Sequence, residues 1–293
     1  MQLFELHFNL QKSDSPDFIS NSFCYTPENF YEKRLGSLLV VGQLQNVLPS
    51  NRKFLDNLSA EIKKRYYSSP MKFSAEAALK NSLKKTNEFL EELTRKGEVS
   101  WLGNLSLAVF SLVPHKSSKF EVNFTKVGAV KILLLRPSQV IDIGKNLEFS
   151  EIEPYPLKIF GNIVSGKLEE QDIIAVLSKE VFEYFSAKQI LKELARGFSE
   201  KKLKEILKNK EKDFKNISGI CLLSVLTKED WAETKKPKTS FIFQKEAEKF
   251  SLTKVFLPMI QPLKKLTYNH SRKNLITVLL FIFLLVLGFL IFR

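Results

Sequence analysis

Three short apolar runs open the chain with nothing helical between them, and this narrows the fold more than any other feature. "LFELHFNL" (3–10), "DFISNSFCYT" (17–26) and "GSLLVVGQL" (36–44) read as successive strands separated by polar turns. Strands this close in sequence can pair as hairpins, whereas parallel neighbours need a long crossover. Two helices follow. Residues 50–68 have Pro49 and Ser50 as start signals and Phe54, Leu55, Leu58 and Ile62 at helical spacing. Residues 74–96 carry Ala75, Ala78, Leu79, Leu83, Phe89, Leu90 and Leu93 on one face and stop near Gly97.

Three more strands are expected at 101–113, 119–128 and 129–137, then a loop with a short extended piece at 160–168. In "DIIAVLSKEVFEYFS" (172–186), Ile173 to Leu177 read as a buried strand and Ser178-Lys179-Glu180 as a tight polar loop before a helix-like segment. Ser186 resembles the start of a further helix, with Gln189 completing a capping box. Ser199 starts another, whose Leu203, Ile206 and Leu207 form a narrow apolar stripe. A last strand is expected within 216–227. Hairpin-capable strands mixed with helices predict an antiparallel α+β sandwich and exclude a parallel doubly wound sheet.

The far end obeys different rules. "NLITVLLFIFLLVLGFLIF" (274–292) is uncharged and lacks a polar stripe. At 1.5 Å per residue it is long enough to cross a hydrocarbon layer of ~30 Å. Residues 234–273 hold ten Lys/Arg against Glu246 and Glu248, so most of the formal charge of +13 lies here and residues 1–233 keep only +4. The folded part is therefore expected to bind no nucleic acid. Arg272 and Lys273 abut the apolar run, with His270, Lys265 and Lys264 behind them. The positive-inside rule then places the N-terminal domain in the cytoplasm of a single-pass membrane protein. The expected division is a domain over 1–228, a basic juxtamembrane linker over 229–273 and a transmembrane helix over 274–292.

Catalytic chemistry of the common kinds finds no foothold. Cys24 and Cys221 lie far apart in strand-like runs, which suits buried reduced thiols, and His7, His115 and His270 have no zinc spacing. Ser178 and Ser218 have no histidine near them in sequence, and no G-x-S-x-G or phosphate-binding glycine loop occurs.

The element order, ending in strand, loop, helices and strand, resembles the PPM-type, or protein phosphatase 2C-like, serine/threonine phosphatases over roughly residues 1–228. "LLVVGQLQN" is similar to the family's third strand, with Gln43 and Leu44 where Asp-Gly would stand. "LKKTNEFL" (Leu83, Asn87), "LGNLSLAVFSL" (Gly103) and "KVGAVKILLLR" (Gly128, Ala129) are similar to three further signatures. "EQDIIAVLSKE" looks like the strand leading to Ser-Asp-Gly: Asp172 and Ser178 remain, and Lys179 takes the place of the metal-binding Asp. "KNISGICLLSV" keeps Asn216 and Ile217 of the closing Asp-Asn-Ile-Thr strand, with Lys215 for the Asp. The N-terminal Arg-x-x-Asn-x-Asp motif is missing; "SDSPDFISNSF" offers Asp14 and Asp17 without an arginine.

The resemblance implies a four-layer α-β-β-α sandwich of two antiparallel sheets, with a cleft between them for two Mn or Mg ions. Hard divalent cations need anionic oxygen ligands, which neither an amide nor an ammonium supplies. With Gln43, Lys179 and Lys215 at ligand positions, only Asp172 is left, either in the cleft or facing the adjoining turn, so the expectation is no metal, no cofactor and no catalysis. Gln43, Ser178, Lys179, Lys215 and Asn216 form the candidate binding cleft of a pseudophosphatase that binds, senses or scaffolds a protein partner in signalling. The enzyme alternative is a divergent Mn/Mg-dependent phosphatase; a third reading is a lipid-surface module using the basic linker.

Overall fold

Alternation decides which side of each strand is buried, and three separate cores result. A computed structural model describes residues 1–9, 18–115, 119–147, 158–227 and 238–244 of the chain. In β1 (Gln2–Phe8), Phe4, Leu6 and Phe8 point to one side while Leu3 packs on the other. The same split in β3 (Ser37–Gln45) sends Leu38, Val40 and Leu44 one way and Leu39 and Val41 the other. Both faces of both sheets are therefore covered.

One sheet has the order β2-β3-β4-β5-β8, formed by β2 (Phe18–Tyr25), β3, β4 (Leu105–Pro114), β5 (Lys119–Val127) and β8 (Val164–Glu169). All its pairings are antiparallel. The other has the order β11-β1-β10-β9-β6-β7, with β6 (Lys131–Arg136), β7 (Gln139–Asp142), β9 (Ile173–Leu177), β10 (Gly219–Val225) and β11 (Thr239–Phe243). This sheet is mixed, because β11 runs parallel to β1. The expectation of two antiparallel sheets thus needs one amendment, at an edge. The amendment also touches the 229–273 stretch expected as linker, since β11 lies inside it.

Helices α2 (Phe54–Tyr67) and α3 (Ala75–Arg95) cover the first sheet. Ser74 caps α3 by accepting from the Ala77 N–H at 3.2 Å, and Leu79, Leu83 and Leu90 are buried beneath it. Each such leucine contributes about 1.5–3 kcal/mol of burial. Arg34, just past the short helix α1 (Phe30–Lys33), donates to the carbonyls of Ser69, Pro70 and Phe73 and so fixes the turn between α2 and α3. Trp101 is buried in the turn before β4, stacked on Phe54, and is not part of the strand as the sequence suggested.

The second sheet is covered by α4 (Lys179–Ala187), α5 (Ile190–Ala195), α6 (Glu200–Asn209) and α7 (Glu211–Phe214). Here the expected boundary moves. No helix starts at Ser186, which lies in the last turn of α4; the chain breaks instead at Gln189, whose φ of 56° is left-handed. Ser199 does cap α6, through the Lys202 N–H. Among the described residues, no helix is long and apolar enough to cross a membrane. The run 274–292 lies outside them.

Candidate functional site: the gap between the sheets

The third core fills the space between the sheets. Leu39, Val41, Ala108, Phe110, Val122 and Phe124 from one meet Ile132, Leu134, Ile174, Val176, Ile220 and Leu222 from the other. At one end the apolar residues run out. Gln43 continues the face of Leu39 and Val41, and its strand partners are Ser20 and Ser106. Lys126 continues the face of Val122 and Phe124; it is buried, and its Nζ donates to the Val130 carbonyl at 3.0 Å. The Ser106 hydroxyl accepts from the Ala129 N–H, tying the β5–β6 turn over the same end. That turn leads into Lys131, which pairs with Leu177, so the end of β9 and Ser178 lie at this end of the opposite sheet.

Ser178 is held from both sides. Its N–H donates to the Ile220 carbonyl at 3.0 Å, and its hydroxyl accepts from the Ile220 N–H at 3.2 Å. Gly219 makes this possible: its φ is +130°, and a Cβ there would stand 2.1 Å from the Ser178 Oγ. The segment entering β10 is anchored as well, because Asn9 Nδ2 donates to the carbonyls of Lys215 and Ile217.

These two layouts of strands and helices have counterparts among solved structures, although the sequence matches no protein-family model and no curated protein. An arginine variant of a bacterial serine phosphatase is 13% identical, with a TM-score of 0.50 over 77% of this chain and 98% of its own. The serine/threonine phosphatase Stp1 from Staphylococcus aureus is 14% identical, with a TM-score of 0.50 over 76% and 94%. The chain has the fold of the protein phosphatase 2C-like serine/threonine phosphatases. At these identities the likeness is one of fold.

Within that phosphatase fold, the residues singled out by sequence separate into two groups. Gln43 and Ser178 reach the same end of the gap. Lys179 and Glu180 are exposed in the first turn of α4, not in a loop. Lys215 is half-buried at the end of α7, and Asn216 is exposed beside it. Asp172 is elsewhere. It precedes β9 while Ser178 follows it, which separates them by about 20 Å of strand. Both its carboxylate oxygens are taken, by Arg136 Nε and a terminal Arg136 nitrogen at 2.9 Å each and by the Glu169 N–H at 2.8 Å. Of the two placements open for Asp172, it takes the one at the adjoining turn, where an arginine on the neighbouring strand captures it at the far end. Ser178 likewise serves the structure, its hydroxyl accepting from the Ile220 N–H.

No group of three or more His, Cys, Asp or Glu converges among the described residues. Among the described residues, the side chains placed at this end of the gap are an amide, hydroxyls and an ammonium, a set that does not fit Mn or Mg. Asp14 and Asp17 lie outside the described residues. The thiols are equally unsuited to chemistry, since burial pushes Cys24 up to about 11 and raises Cys221 further. Asn87, picked out by the resemblance, serves the structure. Its side chain donates to the Phe160 carbonyl and accepts from the Ile159 and Phe160 N–H groups.

Two polar groups facing the gap went unnoticed in the sequence. Lys126 is in phase with Phe120, Val122 and Phe124, so strict alternation already placed an ammonium on an inward face. Glu5, in phase with Leu3, is 3% exposed and faces inward from β1. It pairs with Lys238, accepts from Ser240 at 3.0 Å and lies 3.5 Å from His7.

Proposed function

We propose that this domain is a phosphatase fold without two-metal chemistry, working by binding a partner at the cytoplasmic face of a membrane, to which residues 274–292 attach it. The observation that carries the reading is the makeup of the gap. Two-metal hydrolysis needs carboxylates that hold the ions and lower the pKa of a bridging water. Gln43, Ser20, Ser106 and Lys126 stand at the end where Ser178 and the β5–β6 turn meet, and Asp172, the one acid the resemblance left at an aligned position, is committed to Arg136. The apolar run and the basic flank of Arg272 and Lys273 support the membrane attachment and its orientation.

Calorimetry with Mn²⁺ and a phosphate-release assay on aryl phosphates and phosphopeptides, both on the full chain in mild detergent, test the first half. The expected results are affinity no better than millimolar and no turnover. Micromolar binding, or turnover abolished by Gln43→Ala, would establish the divergent enzyme in its place. The converse variant, Gln43→Asp with Lys179→Asp and Lys215→Asp, asks whether only ligands are missing. Carbonate extraction of membranes tests the second half: deletion of residues 269–293 is expected to release the protein.

A further inference from the structure

β11 lies on an edge of its sheet and runs parallel to β1. Of its five residues only Phe243 is buried, whereas all seven residues of β10 are. Ser240 and Ile242 are exposed. Yet what it meets is elaborate. Its backbone pairs with β1 from Phe4↔Thr239 to Phe8↔Phe243, and the Asn9 N–H donates to the Phe243 carbonyl at 2.7 Å. The Phe243 ring stacks on Phe8 with centroids 5.3 Å apart and tilts against Phe214 at 5.0 Å. Ahead of the strand, Lys238 reaches the buried Glu5 carboxylate on one sheet and donates to the Ser22 carbonyl on the other at 3.1 Å.

A buried carboxylate that owes its cation to a neighbouring strand is a recognition element, because removing the cation leaves a charge with poor solvation. An open sheet edge supplies backbone pairing to any extended segment, and pockets along it supply selectivity. We propose that the groove along β1 is a strand-binding site for an extended segment with a cation five residues ahead of an aromatic ring, and that residues 238–243 occupy it in cis as a releasable, tethered ligand. Release takes the Lys238 bridge away from both sheets at once, so the occupancy of this edge is felt in the gap between them. The docking does not depend on the metal-free reading of the gap. Only its coupling to a membrane rests on the proposed span, to which the chain beyond Gln244 leads.

Hydrogen exchange on the full chain in mild detergent tests this. Residues 239–243 are expected to exchange at least about tenfold faster than 219–225, as a low-stability unit opening by itself. Lys238→Met is expected to accelerate 239–243 about tenfold more while leaving β9 and β10 within about twofold. Glu5→Gln should do the same, but it alters a buried position, so the lysine variant carries the test. A synthetic peptide with the sequence of residues 237–244, in excess over the Lys238→Met protein, should protect β1, and the same peptide with Met for the lysine should not. Exchange of β11 and β10 at one common rate in both proteins overturns the proposal. So does protection of 239–243 that rises with protein concentration, which would mean that the strand comes from a second copy.

Discussion

Gly219→Ala is the sharpest test of how Ser178 is held, because the added methyl group has nowhere to go. The backbone φ of +130° is unfavourable for any residue with a Cβ, at about 1–3 kcal/mol. The new Cβ would meet Ser178 Oγ at 2.1 Å, Ser178 Cβ at 3.0 Å and Val181 Cγ2 at 3.3 Å. Moving Ser178 aside breaks its bond to the Ile220 N–H, about 1 kcal/mol net, and crowding a packed site adds about 1–3 kcal/mol. The total is about 3–7 kcal/mol. Gly97→Ala is the control: φ is +87° there, but nothing stands within 4 Å, so about 1 kcal/mol is expected. In urea-dependent pulse proteolysis of the full chain, a slope of about 2–3 kcal/mol/M turns these costs into midpoint shifts of about 1–3.5 M and about 0.5 M or less. Adding Ser178→Ala to Gly219→Ala removes the nearest clash, and the pair should couple favourably by at least about 1 kcal/mol. Equal midpoints for Gly219→Ala and Gly97→Ala would refute the contact and return Ser178 to the candidate binding residues.

The Arg136–Asp172 pair should respond asymmetrically: Arg136→Met strands a carboxylate whose side chain is 5% exposed and costs about 3 kcal/mol, whereas Asp172→Asn leaves a guanidinium that is 35% exposed and costs about 1–2 kcal/mol. The same urea midpoints check the order, and a larger loss from Asp172→Asn would contradict it. Burial alone would raise the Glu5 carboxyl, but hydrogen bonds from His7, Lys238 and Ser240 and the Lys238 charge outweigh it and hold the group below the ordinary value of 4.5. A depressed folded value means stabilisation that is present above pH 4.5 and lost as pH falls through that lower value. With His7, Lys238, Ser240 and Cys24 as the groups around it, β11 in the wild type should exchange faster, after correction for intrinsic rates, only below pH 4.5, and Lys238→Met should show no such step. Asn87→Ala should cost about 2–3 kcal/mol, since it strands three buried backbone groups of the 159–160 segment, and Asn87→Asp should recover part of it by accepting from two of them.

Helices α2 and α3 were legible because Leu58, Ile62, Leu79 and Leu83 fall at spacings that only a helix makes one-sided. The long strands were legible because both faces are buried, which leaves runs such as "SLLVVG" almost unbroken. β7 was not, because Val140 and Ile141 are exposed and four residues carry no pattern. β11 was hidden by its neighbours: "TSFIF" sits among lysines and prolines, and its stability comes from β1 and Glu5, far away in sequence. The Ser186–Gln189 pair imitates a capping box in letters, yet α4 had already begun at Lys179, and Gln189 adopts the conformation that breaks it. At the site, sequence placed Gln43 and Ser178 toward one gap. It left Asp172 open between the cleft and the adjoining turn, because nothing local in "EQDII" tells that Arg136 will lie beside it on the adjacent strand. Ser178 itself depends on a glycine on another strand, a tertiary fact with no local trace.

The pairing of β1 carries a consequence for synthesis. It is the strand nearest the N-terminus, and both of its neighbours, β10 and β11, are the last two strands of the described chain. A ribosome working at about 5–20 residues per second leaves it without either partner for about 10–40 s. Throughout that interval an apolar segment with two open edges is a template for other chains. Glu5 interrupts "LFELHF" near its centre, and a charge in such a position acts as a gatekeeper against aggregation. The acid that later receives Lys238 thus protects the nascent chain before there is a fold to serve.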